Sequence, residues 1–429
     1  LQGTQREGEQ QHNHSLMSSS HHSPSSSGSS PPRKRSHSDT PPKTLHKRKM
    51  ALLLGFVGSM YSGMQVNPDV DTVEGRLLEA LQRAGCITAD NSHPSKISFS
   101  RAGRTDKGVH AYGQVVCAKL LVPSEDHTSP ELCAVVDAVN EHLPPDIRLL
   151  GIRRVANTFD ARKLANGRYY RFLVPSFAFF PKDKVLGHSL EELRTLRLQP
   201  PMVQLINDTT KRFLGTHRFH NYTKQMEGSD AKAQRLIRSF ECIGTQSDPQ
   251  TGLEFADLMI HGQSFLLNQI RKMVAMTCMV VRGDVELGTL VGSLDRSRTM
   301  NLPIAPGHGL MLHQVNYEFY HHRIDAGKLE GRQKLLWQEE EGVVEKFLQE
   351  QVFPAVFAVE NGGQCTLQWL EHLERESLPM LHKSLEAGEK LVWRGRSDKK
   401  RARPPPKDSF VEGEEVGAGG PSAAAASAE

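Results

Sequence analysis

Along most of this chain the spacing of apolar positions switches between the period of a strand and that of a helix, and the order of switching occurs twice. Residues 50–61, MALLLGFVGSMY, read as a strand. Residues 72–85, TVEGRLLEALQRAG, put Val73, Leu77, Leu81 and Ala84 on one helical stripe that stops at Gly85. The stretches KISFSR (96–101) and GQVVCAKLLV (113–122) read as strands around a short turn. A helix opened by Pro130 and a strand at 146–155 follow, which spells β-α-β-β-α-β. The second pass runs through a strand at 167–175, a helix at 201–215, strands at 235–244 and 253–262, a long helix at 264–281 and a strand at 309–320. The pattern predicts an α+β fold of two such halves. Their sheets join edge to edge into one continuous antiparallel sheet flanked by helices, with a cleft between the lobes.

The ends of the chain are of another material. Residues 1–49 are rich in Ser, His, Pro and Gln with almost no aliphatic residues, and 393–429 pass from a basic run into a Gly/Ala/Ser tail. Neither offsets the entropy of ordering, so both are expected to be disordered. The body divides into a first lobe (50–160), a second lobe (161–325) and a helical extension (326–392). No apolar run reaches the roughly 18 residues of a membrane helix. The balance of 53 Lys and Arg against 49 Asp and Glu gives a net charge of only +4, so a nucleic-acid partner has to be argued from where the cations sit. The six cysteines form no C-x-x-C pair and mostly lie in apolar segments, as reduced intracellular residues do. Short basic clusters, PPRKR (31–35), HKRK (46–49) and KKRARP (399–404), suggest import into the nucleus.

The chemistry concentrates in FSRAGRTDKGVHAYGQVV, residues 99–116. One carboxylate, Asp106, stands among Arg101, Arg104, Lys107 and His110, with Gly103 and Gly108 beside it. Asp-Lys-Gly is good hairpin chemistry, so Asp106 as a plain turn residue is one reading. The other is a carboxylate whose pKa is lowered by its cations and which is kept ionised for reaction. Two more groups favour chemistry. Arg271 falls in the row Leu267, Arg271, Val274, Cys278 on the apolar side of the long helix and needs an anion, whereas Lys272 is expected in solvent. Tyr170 shares a strand face with Phe172 and Val174, either as a core ring or as a stacking platform for a base. His217 and His220 have the separation of a metal-ligand pair but lack a third ligand at matching spacing.

These segments resemble the TruA-type tRNA pseudouridine synthases. GRTDKGVHAYGQ is similar to the sequence around that family's aspartate, and the likeness continues through GSMYSGMQ (58–65), YRF (170–172), GTHRFHNYT (215–223), FLLNQIRKMV (265–274) and APGHGLML (305–312). The segment 337–356, WQEEEGVVEKFLQEQVFPAV, resembles the eukaryotic branch. Phe172 stands where many relatives carry a second tyrosine, and Asn268 where relatives often have histidine. The resemblance implies isomerisation of uridine to pseudouridine in tRNA without cofactor or metal. It assigns Asp106 as nucleophile, Arg271 as its ion-pair partner, Arg104 as the residue that follows the flipped nucleotide and Tyr170 as the ring stacked on uracil. Arg153, Arg154, Lys163, Arg168 and Arg171 are expected to grip phosphates. mRNA and small nuclear RNA are further candidate partners, a membrane is not, the chain is expected as a monomer, and mitochondrion and cytoplasm stand beside the nucleus as locations. The main rival is a non-catalytic RNA-binding or tRNA-folding module that uses the same groups. A metal-dependent nuclease would want clustered carboxylates, and only Asp106 stands in the basic turn.

Overall fold

In the computed structural model of the protein the described residues are 45–387, apart from 68, 125 and 127. The basic clusters at 31–35 and 399–404, and most of both expected tails, lie outside them. The third cluster does not: the first strand, β1, begins at His46 and carries it. Lys49 is buried, and its Nζ donates to the carbonyl of Ser98 2.5 Å away.

The strands are β1 (His46–Phe56), β2 (Ser100–Arg101), β3 (His110–Val122), β4 (Ile147–Arg154), β5 (Gly167–Pro175), β6 (Gly215–Arg218), β7 (Gln234–Ser247), β8 (Glu254–Gly262) and β9 (Leu310–Asn316). They form one nine-stranded sheet in the order β4-β1-β3-β9-β5-β8-β7-β6, with β2 also on β3. The helices are α1 (Val73–Arg83), α2 (Pro130–His142), α3 (Leu190–Leu193), α4 (Pro200–Thr210), α5 (Gln269–Arg282), α6 (Leu287–Ser293) and α7 (Glu318–Asp325), followed by α8 (Glu341–Phe347), α9 (Phe353–Gly363), α10 (Cys365–His372) and α11 (Leu378–Ala387). None is long and apolar enough to cross a membrane.

Local chemistry explains the boundaries. Thr72 caps α1 by accepting from Gly75 N, and Ser129 caps α2 from Leu132 N with Pro130 in the first turn. β1 and β3 pair antiparallel over most of their length and are buried on both faces for much of it, so their alternation is faint in the sequence. The long helix starts at Gln269 and not at 264, because Asn268 takes a left-handed conformation (φ 63°) that ends the preceding loop. β9 stops at Asn316; Tyr317 caps α7, and Phe319 and Tyr320 lie within it.

The expected continuous antiparallel sheet needs one correction. β3 and β9 run parallel, with His110 opposite Met311 and Ala111 opposite Leu312. The edge of β3 is shared: β2 pairs with Val116 and Cys117, which leaves only the start of β3 for β9. Their close approach needs Gly113, where a Cβ would lie 1.7 Å from the carbonyl oxygen of His313.

Candidate active site

Asp106 sits in the turn between β2 and β3, where its carbonyl accepts from Val109 N and Gly108 adopts φ 80°. The segment 58–64 packs beneath this turn. Met64 N donates to the carbonyl of Thr105, and Gly58 passes so close to Val109 that a Cβ there would be 2.1 Å from the Val109 carbonyl oxygen. His110 locks the turn's far end. Its Nδ1 accepts from Gly58 N at 3.3 Å, so the proton resides on Nε2, which donates to the carbonyl of His308 at 2.9 Å. Burial lowers the pKa of this ring to about 4. A second proton would aim two donors at each other. The neutral ring therefore adds stability above the ordinary histidine pKa, and this is lost as pH falls toward about 4. Nothing in the spacing of His110 announced this role; the Gly58 and His308 segments that meet it are far away in sequence.

The charges around Asp106 differ from the expected crowd. Arg101 is committed to Glu74, which is fully buried, at 2.6 Å. Arg104 and Lys107 are exposed, and Arg104 forms no hydrogen bond or ion pair with the described residues. Asp106 is consequently not held below the ordinary aspartate range. Asp106 is itself exposed; partial loss of water raises its pKa, and the charge of Arg271 opposes that rise. The pKa of Arg271 is itself lowered by burial, with Asp106 as the opposing charge. The two attract but do not form a hydrogen bond or a direct ion pair. Arg271 Nε donates to the carbonyl of Ala305 at 2.7 Å, and its guanidinium lies against Gly307, where a Cβ would come within 3.2 Å of Cζ.

Tyr170 completes the group. Burial raises its pKa to about 12, and Asp106 adds to the rise. Its ring meets Phe265 edge to face with centroids 5.3 Å apart, and a Cβ on Gly103 would be 3.8 Å from its hydroxyl. Asp106, Tyr170 and Arg271 are thus brought together, with Arg104 on the surface of the same turn.

Several cations have other work than the sequence suggested. Arg168 is half-buried and donates to the carbonyls of Ala102 and Gln263, both at 2.8 Å, tying the Asp106 segment to the loop before α5. Arg171 is bidentate on Asp257, and Arg153 pairs with Glu340 at 2.5 Å and faces the Trp337 ring. Arg154 is half-buried. Of the five residues expected on phosphates only Lys163 is exposed. Lys272 is not in solvent either: it is buried and donates to the carbonyls of Asn221 (2.9 Å) and Thr223 (3.2 Å), and burial lowers its pKa to about 8. Leu267, expected on the apolar row, is 53% exposed because it precedes the helix. His217 and His220 each face a backbone carbonyl, of Leu214 and Arg298.

Comparison with known proteins identifies the family. Residues 210–318, which carry α5 and all of β9, match the family described as tRNA pseudouridine synthase. The chain is 35% identical to the mouse protein named pseudouridylate synthase 1 homolog over 79% of its own length and 77% of the mouse protein. The human protein of that name is 36% identical over 76% of this chain and 72% of the human one. The chain belongs to the tRNA pseudouridine synthase family. The Saccharomyces cerevisiae protein named tRNA pseudouridine synthase 1 is 30% identical over 66% of this chain and 63% of the yeast protein. Membership makes the protein an isomerase that acts on uridine in tRNA.

A variant tests the coupling within the site. Arg271→Leu removes the one charge that resists protonation of Asp106 while relieving a desolvated cation. Pseudouridine formation is expected to fall about 100-fold, with thermal unfolding changed little. Full activity at normal stability would remove Arg271 from the site.

Proposed function

We propose that this tRNA pseudouridine synthase uses Asp106 as its nucleophile, Tyr170 as the ring that holds uracil while it turns, Arg271 as the cation that keeps Asp106 ionised, and Arg104 as the guide for the flipped nucleotide. The observation that carries the reading is a carboxylate exposed at the β2–β3 turn, facing the Arg271 guanidinium, with which it does not pair directly because Arg271 is held by the Ala305 carbonyl. A direct bidentate pair would occupy both carboxylate oxygens. Here they stay open toward substrate.

The strand orders β4-β1-β3-β2 and β9-β5-β8-β7 support reading the sheet as two β-α-β-β-α-β halves joined along β3 and β9. Asp106 then comes from the first half, Tyr170 and Arg271 from the second, with the substrate entering a cleft between them. In the reaction the bond from uracil N1 to ribose C1′ breaks, the base turns, and C5 bonds to C1′. N1 gains a proton, C5 loses one to solvent, and no water is added. The carboxylate serves either by adding to C1′ as the base departs or by taking the C2′ proton, and each route needs the anion. Stacking on Tyr170 retains the detached base, and exclusion of water keeps the sugar from hydrolysis. Uridines in mRNA and small nuclear RNA presented in similar loops are further substrates, and the basic clusters at 31–35 and 399–404 support action in the nucleus.

Tritium at uracil C5 tests the reading. tRNA with 5-tritiated uridine, mixed with the protein in excess EDTA and without nucleotide cofactor, is expected to release tritium to water while the strand stays intact. Release should fall as salt is raised, since phosphate contacts release counterions. Tight binding of tRNA with no tritium release from any tRNA tested would leave the binding-module reading in its place.

A further inference from the structure

The helical extension beyond β9 lies outside the segment that matches the family, which ends at residue 318. It nevertheless reaches the segment that holds the site together. Residues 305–308 form that hub: the carbonyl of Ala305 accepts from Arg271, Gly307 lies against the Arg271 guanidinium, and the carbonyl of His308 accepts from His110, which closes the Asp106 turn. The side chain of His308 points the other way, into the extension. Its Nε2 is 3.0 Å from Oε2 of Glu360 on α9, in an approach too bent for a regular hydrogen bond. Glu360 has no exposed surface, and Oε2 also accepts from the backbone N and the hydroxyl of Thr366 at the start of α10. Thr366 and Trp369 share the lining of a void of about 10 Å³ with Ala305, Pro306 and His308, room for no more than a single water. The hub therefore lies close against α10.

We infer that Glu360 is a positioning residue for pseudouridine formation: held by Thr366, it fixes His308, and through the 305–308 backbone it sets both Arg271 and the Asp106 turn. A buried carboxylate is costly without a partner, and among the described residues its polar contacts are Thr366 and His308. The same geometry explains why an extension outside the family match carries a buried acid at all. The inference rests on Asp106 and Arg271 having the roles proposed above.

The test compares two neighbours on α9. Asn361 also ties the extension down, through Asp248 at 2.7 Å, but it does not touch the hub. Glu360→Ala is expected to lower the single-turnover rate of pseudouridine formation about 10- to 100-fold at unchanged tRNA affinity, the scale of a small misplacement of reacting groups. Glu360→Gln, which keeps an acceptor for Thr366 and a polar contact to His308, should recover most of the rate. Asn361→Ala should lower the unfolding temperature and leave the rate alone. A folded Glu360→Ala at the parental rate, or an equal fall of rate in Asn361→Ala, overturns the inference. Should Glu360→Ala fail to fold, His308→Gln takes its place: a parental rate in that variant overturns the inference, and the same fall in rate at unchanged affinity supports it. Asp106→Asn measured alongside separates the two claims, because an active Asp106→Asn protein defeats the reading of the site whatever Glu360 does.

Discussion

Asp106→Asn is expected to bind tRNA as the parent does and to form pseudouridine roughly a thousandfold more slowly or not at all. The amide keeps the shape of the side chain and cannot supply the anion. Its effect on stability should be small, because Asp106 is exposed at the turn. Burial raises the pKa of Asp106, so the folded state binds its proton more tightly than the unfolded chain. That contribution to stability is present below the unfolded aspartate pKa and lost as pH rises through the folded one. Because Asp106 is exposed and water screens its charge, that contribution is small, and the variant should unfold close to the parental temperature. The same shift governs activity. The rate of the parent should fall on the acid side at a higher pH than a free aspartate would give, and Arg271→Leu should move that limb higher still. Single-turnover rates against pH, together with melting curves, check all three statements. A variant with the parental rate would show that Asp106 is not the nucleophile.

The turn around Asp106 was legible because its chemistry is local: an acid, several cations and two glycines within a few positions. The strand that carries Tyr170 was legible as well, since the run 167–175 forms β5. What escaped was everything decided by a partner distant in sequence. Arg153, Arg168 and Arg171 look like free cations on strands, yet their acceptors are Glu340 in the extension, the Ala102 and Gln263 carbonyls, and Asp257 on β8. Helical periodicity put Arg271 inside and Lys272 outside, but α5 is covered on nearly all sides. Lys272 meets the carbonyls of Asn221 and Thr223, and no count of threes and fours along the helix could place that loop there. The parallel pairing of β3 with β9 has the same origin, because it depends on where β2 ends and on the close approach at Gly113. Local rules gave most of the elements and the Asp106 turn, and long-range pairing decided which charges remained exposed.

The second large effect lies one residue from Tyr170, on the other face of β5. Arg171 Nε donates to Oδ1 and Oδ2 of Asp257 at 2.7 and 2.9 Å, its Nη2 also donates to Oδ2, and its guanidinium lies over the Phe353 ring of α9 at 4.9 Å. Asp257 is almost fully buried and also accepts from Gln246. Removing one partner leaves an uncompensated charge under the extension, whereas removing both as a matched apolar pair does not. Asp257→Ala is therefore expected to cost about 3 to 5 kcal/mol in chemical denaturation, and Arg171→Met/Asp257→Leu to cost clearly less than that single change. Because β5 alternates, a strand that shifts to rehydrate Arg171 carries Tyr170 with it, so Asp257→Ala should also slow pseudouridine formation at temperatures where it is still folded. The double variant should regain much of that rate, since its strand has no buried charge to relieve. Equal stability of Asp257→Ala and the parent would mean that Arg171 finds water or another acceptor in place, and would detach the pair on this face of the sheet from the ring on the other.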